Sequence, residues 1–573
     1  MSKNRLPAWR RSALVMSLAA AGLLAACGGS DDAPPPTAVE PTPTGLSLAR
    51  IGGFADAALA NPTGAAEITA YDAASRRLFV VNSVIGTVDV LDLSSPATPT
   101  KVGTVNIGTL GASVNSVAVN DGLVALAIEA TTKTSPGVVA FFNASTLTLL
   151  GQVTVGALPD MVTFTPDGRT VLVANEGEPN SYGQTDSVDP EGSIGVITVN
   201  RSGSGASLAV SPTARVAGFT AYNGQLAELR ALGVRIFGPG ATVAQDLEPE
   251  YISVSADSTT AYVTLQENNA IAVVDVAGAS VTAIRPLGTK DHSVAGFGLD
   301  PSDEDGGTNT NSGTPTVRIG TWPVRGMYMP DALASYTVGG QTYLVTANEG
   351  DAREYLGIPG GREDPRARAH CNLGLDPTVF AGATGTASDP LLFDSNLGRL
   401  RVTIYPNGND TGKNSAGQCN KLLAYGGRSF TIWRTTGTGA LERVWDSGDQ
   451  LEQRTTALAE ALFNASNDDN TLDSRSPAKG PEPEAVVTAT FGSKVFAFVG
   501  LERVGGVMVY DVTTPTAPTF TTYLNTRTGA TGDRGPEGLE FIPASRSPNG
   551  RPLLVVGNET SGTTAIFEVR LSF

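Results

Sequence analysis

The chain has 573 residues, of which 66 are glycine, 36 are proline and only two are histidine, and its formal net charge is −17. An acidic surface of this kind repels nucleic acid and attracts cations, so we expect no nucleic-acid partner. The length exceeds the roughly 250–300 residues at which one compact core usually stops growing, which favours a closed repeat architecture.

Residues 1–26 are predicted to be a lipoprotein signal peptide. Four basic residues precede an apolar run over residues 13–26, which is the layout of a secretory signal and is too short for a permanent membrane span. The run ends in Leu24-Ala25-Ala26-Cys27, which resembles the lipobox of bacterial lipoproteins. We therefore predict cleavage before Cys27 and lipidation of its thiol; the alternative is a plain signal peptide followed by a chance cysteine.

Residues 27–45 are predicted to carry the lipid and to form a flexible tether. The segment 31–44 is rich in proline and contains Asp31 and Asp32, a composition typical of extended linkers. Gly28 stands where inner-membrane lipoproteins carry an aspartate. The lipobox resemblance thus implies an exported protein anchored in the outer membrane, facing the periplasm or the cell surface, with the lipid as its only membrane contact.

Residues 46–573 contain a recurring hairpin. In the clearest copy Pro159-Asp160 opens a strand, residues 166–168 form a turn, and a second strand ends in Asn175-Glu176. Short runs of Val, Ile and Thr between turn residues are typical of β-structure. Further copies run from Pro249-Glu250 to Gln266-Glu267, Pro330-Asp331 to Asn348-Glu349, Pro483-Glu484 to Leu501-Glu502 and Pro536-Glu537 to Asn558-Glu559, with weaker copies from Glu67 to Asn82-Ser83 and from Asn115 to Ile128-Glu129.

Each hairpin is followed by a third strand of shared pattern, such as the AIAVVD string at residues 270–275. Seven four-stranded units predict an all-β fold, a seven-bladed β-propeller with loop insertions. The last unit ends with its third strand at residues 563–571, so we expect residues 46–53 to supply its fourth strand. That N-terminal strand would close the ring and remove its open edges.

The repeated acidic residues are predicted to converge on Ca²⁺. In an antiparallel hairpin the start of the first strand and the end of the second lie at the same edge. Like charges gathered there need raised pKa values or bound cations, and carboxylate and amide oxygens suit calcium. The alternative is that these acids are turn formers copied by duplication of the blade. The predicted ligands are Asp160, Glu176, Glu250, Glu267, Asp331, Glu349, Glu484, Glu502, Glu537 and Glu559.

One loop insertion offers further oxygen ligands. Asp300, Asp303 and Asp305 precede two glycines, and acidic residues so spaced let a tight loop wrap calcium, although the terminal Glu of an EF-hand is missing. Residues 467–473 carry a similar acidic run that ends at Asp473. For both segments the alternative is a solvated acidic loop.

The basic residues and the two histidines restrict which ligands the chain could bind and which reactions it could catalyse. Arg353, Lys479 and Arg534 are predicted to lie beside the acids, where arginines and a cation together can hold a phosphate. Two histidines in the whole chain argue against a multi-histidine zinc site. His292 is a candidate general acid, or else a structural or exposed loop histidine. The sequence contains no GxSxG, HExxH or Walker motif, so hydrolase triads, zincins and nucleotide binders lack support.

Cys371 and Cys419 are the cysteines that remain after Cys27. Thiols are normally oxidised outside the cytoplasm. We therefore expect a disulfide between these two residues rather than a free thiol or a metal ligand.

Several strings identify a family. They include DLEPEY at residues 246–251, GPEPE at 480–484 and GPEGLEFIP at 535–543. Together they resemble the choice-of-anchor I family over nearly all of the chain after the tether. The resemblance implies a surface domain that different members attach by different anchors. Its relatives include mesenchyme-specific cell-surface glycoproteins of echinoderm biomineralisation, and some bacterial members carry an alkaline-phosphatase label.

The resemblance leaves three functions open. A non-catalytic module would bind calcium, mineral or a partner through the acidic face. A calcium-dependent phosphomonoesterase, similar to propeller phytases, would use the cations to bind phosphate and activate water. Its catalytic candidates are Glu484, Glu537 and His292, and its phosphate ligands are Arg353, Lys479 and Arg534. A scaffold would bind protein or glycan through insertions at residues 177–192, 200–245, 284–325 and 355–420.

Overall fold

The computed structural model describes residues 41–306, 313–408, 410–436 and 439–573. The predicted signal peptide, the cysteine predicted to be lipidated (Cys27) and the predicted tether up to residue 40 lie outside these ranges. Within them, no helix is both long and apolar enough to cross a membrane.

Strands are the main regular structure of the described chain. The strands up to residue 286 are β1 (Gly45–Ala55), β2 (Thr69–Asp72), β3 (Arg77–Asn82), β4 (Thr87–Asp92), β5 (Thr100–Val105), β6 (Ser113–Asn120), β7 (Leu123–Glu129), β8 (Pro136–Asn143), β9 (Leu149–Ala157), β10 (Pro159–Phe164), β11 (Thr170–Asn175), β12 (Ser193–Ser202), β13 (Ala209–Gly218), β14 (Ile252–Val254), β15 (Thr260–Leu265), β16 (Ala270–Asp275) and β17 (Ser280–Pro286).

The strands that follow alternate with longer connections. They are β18 (Thr289–Asp291), β19 (Arg325–Met327), β20 (Leu333–Val338), β21 (Gln341–Asn348), β22 (Leu423–Ala424), β23 (Ser429–Thr435), β24 (Leu441–Asp446), β25 (Pro483–Phe491), β26 (Lys494–Leu501), β27 (Val507–Asp511), β28 (Thr519–Leu524), β29 (Pro536–Ile542), β30 (Leu553–Asn558) and β31 (Thr563–Ser572). The α-helices are α1 (Leu226–Leu232), α2 (Val243–Asp246), α3 (Ala367–His370) and α4 (Gln450–Ala459), and 3₁₀ turns cover Gly205–Ser207, Thr220–Gln225, Pro359–Gly361, Pro390–Leu392 and Glu460–Leu462.

All described strands except β18, β19 and β22 belong to seven four-stranded antiparallel sheets. Their strand orders are β2-β3-β4-β5, β6-β7-β8-β9, β10-β11-β12-β13, β14-β15-β16-β17, β20-β21-β23-β24, β25-β26-β27-β28 and β29-β30-β31-β1. The first strand of each sheet contacts the first strand of the next, and β29 contacts both β25 and β2, so the sheets close into a ring. This is the arrangement of a β-propeller, and the predicted propeller fold is confirmed.

An N-terminal strand completes the last blade, as the repeat pattern predicts. β1 pairs antiparallel with β31, with Leu46 opposite Leu571 and Leu48 opposite Val569. Because β1 covers the outer side of β31, the last blade has the same four strands as the others. The closure therefore rests on a hydrogen-bonded strand pair between two distant parts of the chain.

Burial follows from the position of each strand in its blade. Inner strands are covered on both faces by neighbouring blades, and β11 is buried from Val171 to Asn175. Such strands read as nearly continuous apolar runs. Outer strands meet solvent on one face, and β5 accordingly alternates between exposed and partly buried positions before Val105.

Two predicted insertions pack together into one additional unit, which we call the satellite (residues 289–306, 313–327, 355–408 and 410–424). In it β18 pairs antiparallel with β19, and β22 joins β19 in parallel. Leu299 and Trp322 of the first insertion pack against Leu375 and Leu397 of the second, around a disulfide between Cys371 and Cys419. The satellite therefore has its own apolar core.

Candidate functional site

A β-bulge at the start of the blade carries the repeated acidic residue. Glu250 N donates to Thr264 O at 3.1 Å and Thr264 N donates to Tyr251 O at 2.9 Å, so two residues of the first strand face one of the second. A bulge interrupts the alternation of side chains and re-aims one of them. The equivalent bulged positions of the seven blades, which we call the inner ring, are Glu67, Asn115, Asp160, Glu250, Asp331, Glu484 and Glu537.

The inner ring stands at one end of the central channel. The first strands of all seven blades line a cavity of about 540 Å³. Val162, Ile252 and Leu333 line this cavity, and each follows an acid of the inner ring by two residues. The carboxylates therefore lie at the mouth of the channel, as the hairpin geometry predicts.

The ends of the second strands bring further carboxylates to this mouth. Glu176 N donates to Leu158 O at 3.0 Å and Glu502 N donates to Glu482 O at 2.9 Å. Leu158 and Glu482 precede the first-strand prolines and have φ of 48° and 51°, a left-handed conformation that costs free energy outside glycine. The residues that follow the second strands, which we call the outer set, are Glu176, Glu267, Glu349, Glu502 and Glu559.

Burial is the largest cause of raised pKa values at the mouth, and neighbouring carboxylates raise them further. The pKa rises to about 7 for Glu67, Asp160 and Glu267 and to about 8 for Glu502. Carboxylates this close cannot all ionise unless positive charge joins them. The pKa also rises well above its usual value at Glu176, Glu250, Asp331, Glu484 and Glu537.

Three buried oxygens of the inner ring and the outer set, all of whose members are described, have no hydrogen-bond partner. They are the Oε2 atoms of Glu250, Glu267 and Glu484. A buried polar atom without a partner costs about 1–3 kcal/mol. A hard cation held by several oxygens would supply the missing partner.

One side of the mouth is already balanced by basic residues. Lys479 forms ion pairs with Glu349 and, at 3.2 Å, with Glu482. Arg503 lies 3.2 Å from Glu482 and 3.1 Å from Glu502. Burial acts to raise the pKa of Glu482, but Lys479 and two arginines lower it below its usual range. Oxygens of Glu349, Glu482 and Glu502 lie within 4.8 Å of one another, yet each of the three acids is already paired with Lys479 or Arg503.

The predicted ligand set omits two acids of the mouth. Glu67 occupies the bulge of the first blade, and its place in a weak copy of the repeat is the signal that points to it. Glu482 is the residue before the proline in the GPEPE string, where the clearest copy of the repeat has Leu158. The repeat therefore gives no signal for Glu482.

The three predicted phosphate ligands do not form a group of unpaired basic side chains. Arg353 is buried and binds Asp246 at 2.9 Å and Glu248 at 3.0 Å, and Lys479 is bound to carboxylates as described above. Arg534 donates to the carbonyl oxygen of Asn467 at 2.8 Å, and its buried Nε has no partner among the described residues. Of the three, Arg534 alone is not paired with a carboxylate in the described part of the chain.

His292 lies in the satellite rather than at the mouth. It is buried, and its Nδ1 lies 2.7 Å from Phe297 O. Burial, aided by Lys290, holds the pKa of His292 well below its usual value. A neutral, enclosed imidazole does not suit the predicted role of general acid.

The predicted calcium loop also lies in the satellite. Asp300 and Asp305 are buried, whereas Asp303 forms an ion pair with Arg399 at 2.5 Å. An arginine from a distant segment thus pairs with Asp303, whereas Asp300 and Asp305 have no ion pair among the described residues, and calcium binding by this loop stays a prediction.

The sequence of this chain is similar to those of several known proteins. Residues 67–515 match the family model of the Choice-of-anchor I domain. Gigasin-3a of Magallana gigas is 33% identical over 195 residues, which are 31% of this chain and 66% of that protein. The Mesenchyme-specific cell surface glycoprotein of Strongylocentrotus purpuratus is 29% identical over 323 residues, 50% of this chain and 38% of that protein. The chain thus spans less than two thirds of the length of either relative.

A solved structure with a similar course of the chain is the β-propeller domain of Cps50 (Swd1) from Myceliophteria thermophila. It matches 88% of this chain and 97% of its own, with 8% identity and a TM-score of 0.41. A likeness at that level carries no argument about function.

Proposed function

The chain belongs to the choice-of-anchor I family, and we propose that the carboxylate-lined mouth of its propeller binds Ca²⁺ at the cell envelope. The observation that carries this proposal is the set of buried, unpartnered Oε2 atoms on Glu250, Glu267 and Glu484. Calcium takes six to eight oxygen ligands in flexible geometry. A ring that offers carboxylates from several blades and one amide, that of Asn115, supplies such ligands.

The charge around Glu250 favours a cation. Besides burial, the groups that raise the pKa of Glu250 are Glu267, Asp331, Glu176 and Asp160, all of them carboxylates. A divalent ion would let these groups ionise together, because it replaces the protons that otherwise neutralise them.

The proposal includes a lipid anchor in the outer membrane. The lipobox-like string that ends at Cys27 supports export and attachment, and the name of the sea-urchin relative, a cell surface glycoprotein, supports a surface location. Mass spectrometry of the mature N-terminus tests the anchor. Diacylglycerol on Cys27, and release of the Cys27→Ser variant from the membrane fraction, are the expected results; an unmodified thiol on a membrane-free protein would contradict them.

Calorimetric titration of the purified protein with CaCl₂ tests the binding site. Glu250→Gln and Glu484→Gln keep the side-chain shape but remove one charge each, so we expect each to weaken calcium binding at least about tenfold, or about 1.4 kcal/mol. Glu442→Gln is the matched control, since Glu442 is exposed on the outer strand β24. Absence of calcium binding, or equal affinity in all three variants, would rule out the proposal.

A calcium-dependent phosphomonoesterase has less support at this site. Arg353 and Lys479 are bound to carboxylates, which leaves Arg534 as the remaining predicted phosphate ligand. We therefore expect calcium binding without turnover. Release of phosphate from a generic phosphomonoester that stops in chelator and in Glu537→Gln would instead make the mouth an active site.

A further inference from the structure

We propose a second Ca²⁺ site, separate from the mouth, in which Asp473 joins Asp300 and Asp305. Asp473 belongs to the connection between β24 and β25, whereas the other two lie in the satellite. The exposed fraction is 0% for Asp300 and Asp473 and 8% for Asp305. This site does not depend on the function proposed for the mouth.

Two of these carboxylates have one oxygen fixed by donors and the other oxygen without a partner. Asp305 Oδ1 accepts from Thr316 N at 2.8 Å and from Thr316 Oγ1 at 2.7 Å. Asp473 Oδ1 accepts from Ser476 Oγ. The Oδ2 atoms of Asp305 and Asp473 are buried and have no hydrogen-bond partner among the described residues. Donors that orient one oxygen and leave the other open are typical of metal-ligating carboxylates.

A shared partner, Glu452, joins the two segments that carry these acids: its Oε2 accepts from Asp300 N and its Oε1 accepts from Asn464 Nδ2, each at 3.0 Å. Burial and then Asp300 are the main causes that raise the pKa of Asp473 to about 9, with a further contribution from Asp305. Burial, Glu452 and Asp305 raise the pKa of Asp300 to about 7. Glu452 is paired with Arg428 at 2.8 Å, so its charge is met. The other three acids have no ion pair among the described residues, so a bound cation would supply their counter-charge.

An amide oxygen adds to this set. Asn464 is buried, and its Nδ2 donates to Ser476 Oγ at 2.8 Å, which places it beside Asp473. Its Oδ1 is likewise buried without a partner among the described residues. Carboxylate and amide oxygens without sulfur or imidazole select a hard cation, and calcium tolerates the irregular geometry of ligands drawn from two segments. The ion would fasten the satellite to the β24–β25 connection.

Trp322 gives this site a local optical probe. Arg318 N donates to Asp300 Oδ2 at 2.5 Å, and the Arg318 guanidinium lies 4.9 Å from the centre of the Trp322 ring. Tb³⁺ bound in place of calcium would therefore accept energy from Trp322. We expect sensitised terbium emission that calcium displaces, that Trp322→Phe and Asp473→Asn abolish, and that Glu250→Gln and Glu484→Gln leave intact.

Calcium titration of the same variants measures the number of bound ions. Asp473→Asn should lose one bound calcium, whereas the double variant of Glu250 and Glu484 should retain this one. Asp468→Asn is the matched control, because Asp468 is exposed in the same connection. The two proposals can fail separately. If the mouth alone binds no calcium, the double variant of Glu250 and Glu484 binds as many ions as the unaltered protein, whereas Asp473→Asn still binds one fewer.

Folding of the variants is checked by near-ultraviolet circular dichroism, and Asp305→Asn carries the test if Asp473→Asn misfolds. In chelator, Asp473→Asn should raise Tm, because it removes a buried carboxylate. Unchanged terbium emission and an unchanged number of bound calcium ions in folded Asp473→Asn or Asp305→Asn would overturn the proposal. The three acids would then be buried as protonated carboxyl groups that bind no ion. Displacement of terbium by Mg²⁺ but not by Ca²⁺ would overturn the assignment to calcium.

Discussion

Glu250 and Glu267 stand at the two ends of one hairpin, the first before β14 and the second after β15, and each has a buried Oε2 without a hydrogen-bond partner in the described structure. Among the charged groups around Glu250, Glu267 has the largest effect on its pKa. Related pairs of acidic residues recur in neighbouring blades, so carboxyl groups from several hairpins gather at the mouth. Stability of the fold is thereby linked to pH and to cations.

We expect the stability of the calcium-free protein to fall as pH rises from about 5 to about 8. The pKa of Glu67, Asp160 and Glu267 is about 7 in the folded protein, above the values of 4.5 for Glu and 3.8 for Asp that apply to the unfolded chain. The folded state thus binds more protons in this range. The stability gained from these protons is complete below the pKa values of the unfolded chain and is lost as pH rises through the pKa values of the folded protein. Glu502, with a pKa of about 8 in the folded protein, extends this pH range upward.

Thermal unfolding in chelator across this pH range measures the effect. Excess calcium should reduce the fall of Tm, because bound calcium replaces protons as the counter-charge. A calcium-free Tm that rises steadily between these pH values would contradict the prediction.

Arg353→Met should lower the free energy of unfolding by about 3–5 kcal/mol, because it leaves buried carboxylates without their cation. Arg353 is bound to Asp246 and Glu248, and all three are buried. Urea unfolding measures the loss. Arg434→Met is the control, since Arg434 pairs with Glu442 at the surface, and we expect no measurable change there. Equal losses in the two variants would show that burial of the ion pairs is not decisive.

Gly557→Ala should strain the junction between the last blade and the first. A Cβ at Gly557 would lie 1.8 Å from Glu67 O, whereas a Cβ at Gly224 would meet nothing within 4 Å. Overpacking of this kind typically costs about 1–3 kcal/mol, and displacement of Glu67 should also weaken calcium binding at the mouth. Unfolding and calcium titration of Gly557→Ala and Gly224→Ala check this, and unaltered behaviour of both would be evidence against the close approach.

Removal of the closing strand should open the propeller. A chain that begins at residue 56 lacks β1 and leaves the edge of β31 unpaired, and unpaired edges promote aggregation. A chain that begins at Pro41 keeps β1 and serves as the control. Size-exclusion chromatography and Tm should show aggregation and a lower Tm for the shorter chain only; identical profiles would mean that β1 is dispensable.

The hairpin repeat, the propeller class and the closing strand could all be predicted from the amino-acid sequence. Turn residues and β-rich runs are local signals, and a hairpin places Asp160 and Glu176 at the same edge whatever surrounds it. The incomplete last unit also required a strand from elsewhere, and residues 46–53 match the observed β1. These features could be predicted because each depends on neighbours in the chain or on counting repeated units.

Which charged side chains pair with one another could be seen only in the folded chain. Lys479 pairs with Glu349, Arg399 pairs with Asp303, and Asp300 raises the pKa of Asp473, although each pair joins residues far apart in the chain. Nothing in the sequence separates an arginine that would hold phosphate from one that neutralises a carboxylate, because both are basic residues near acidic strings. The free energy of a buried charge depends on its partner and on access of water, and both are set by how distant segments pack.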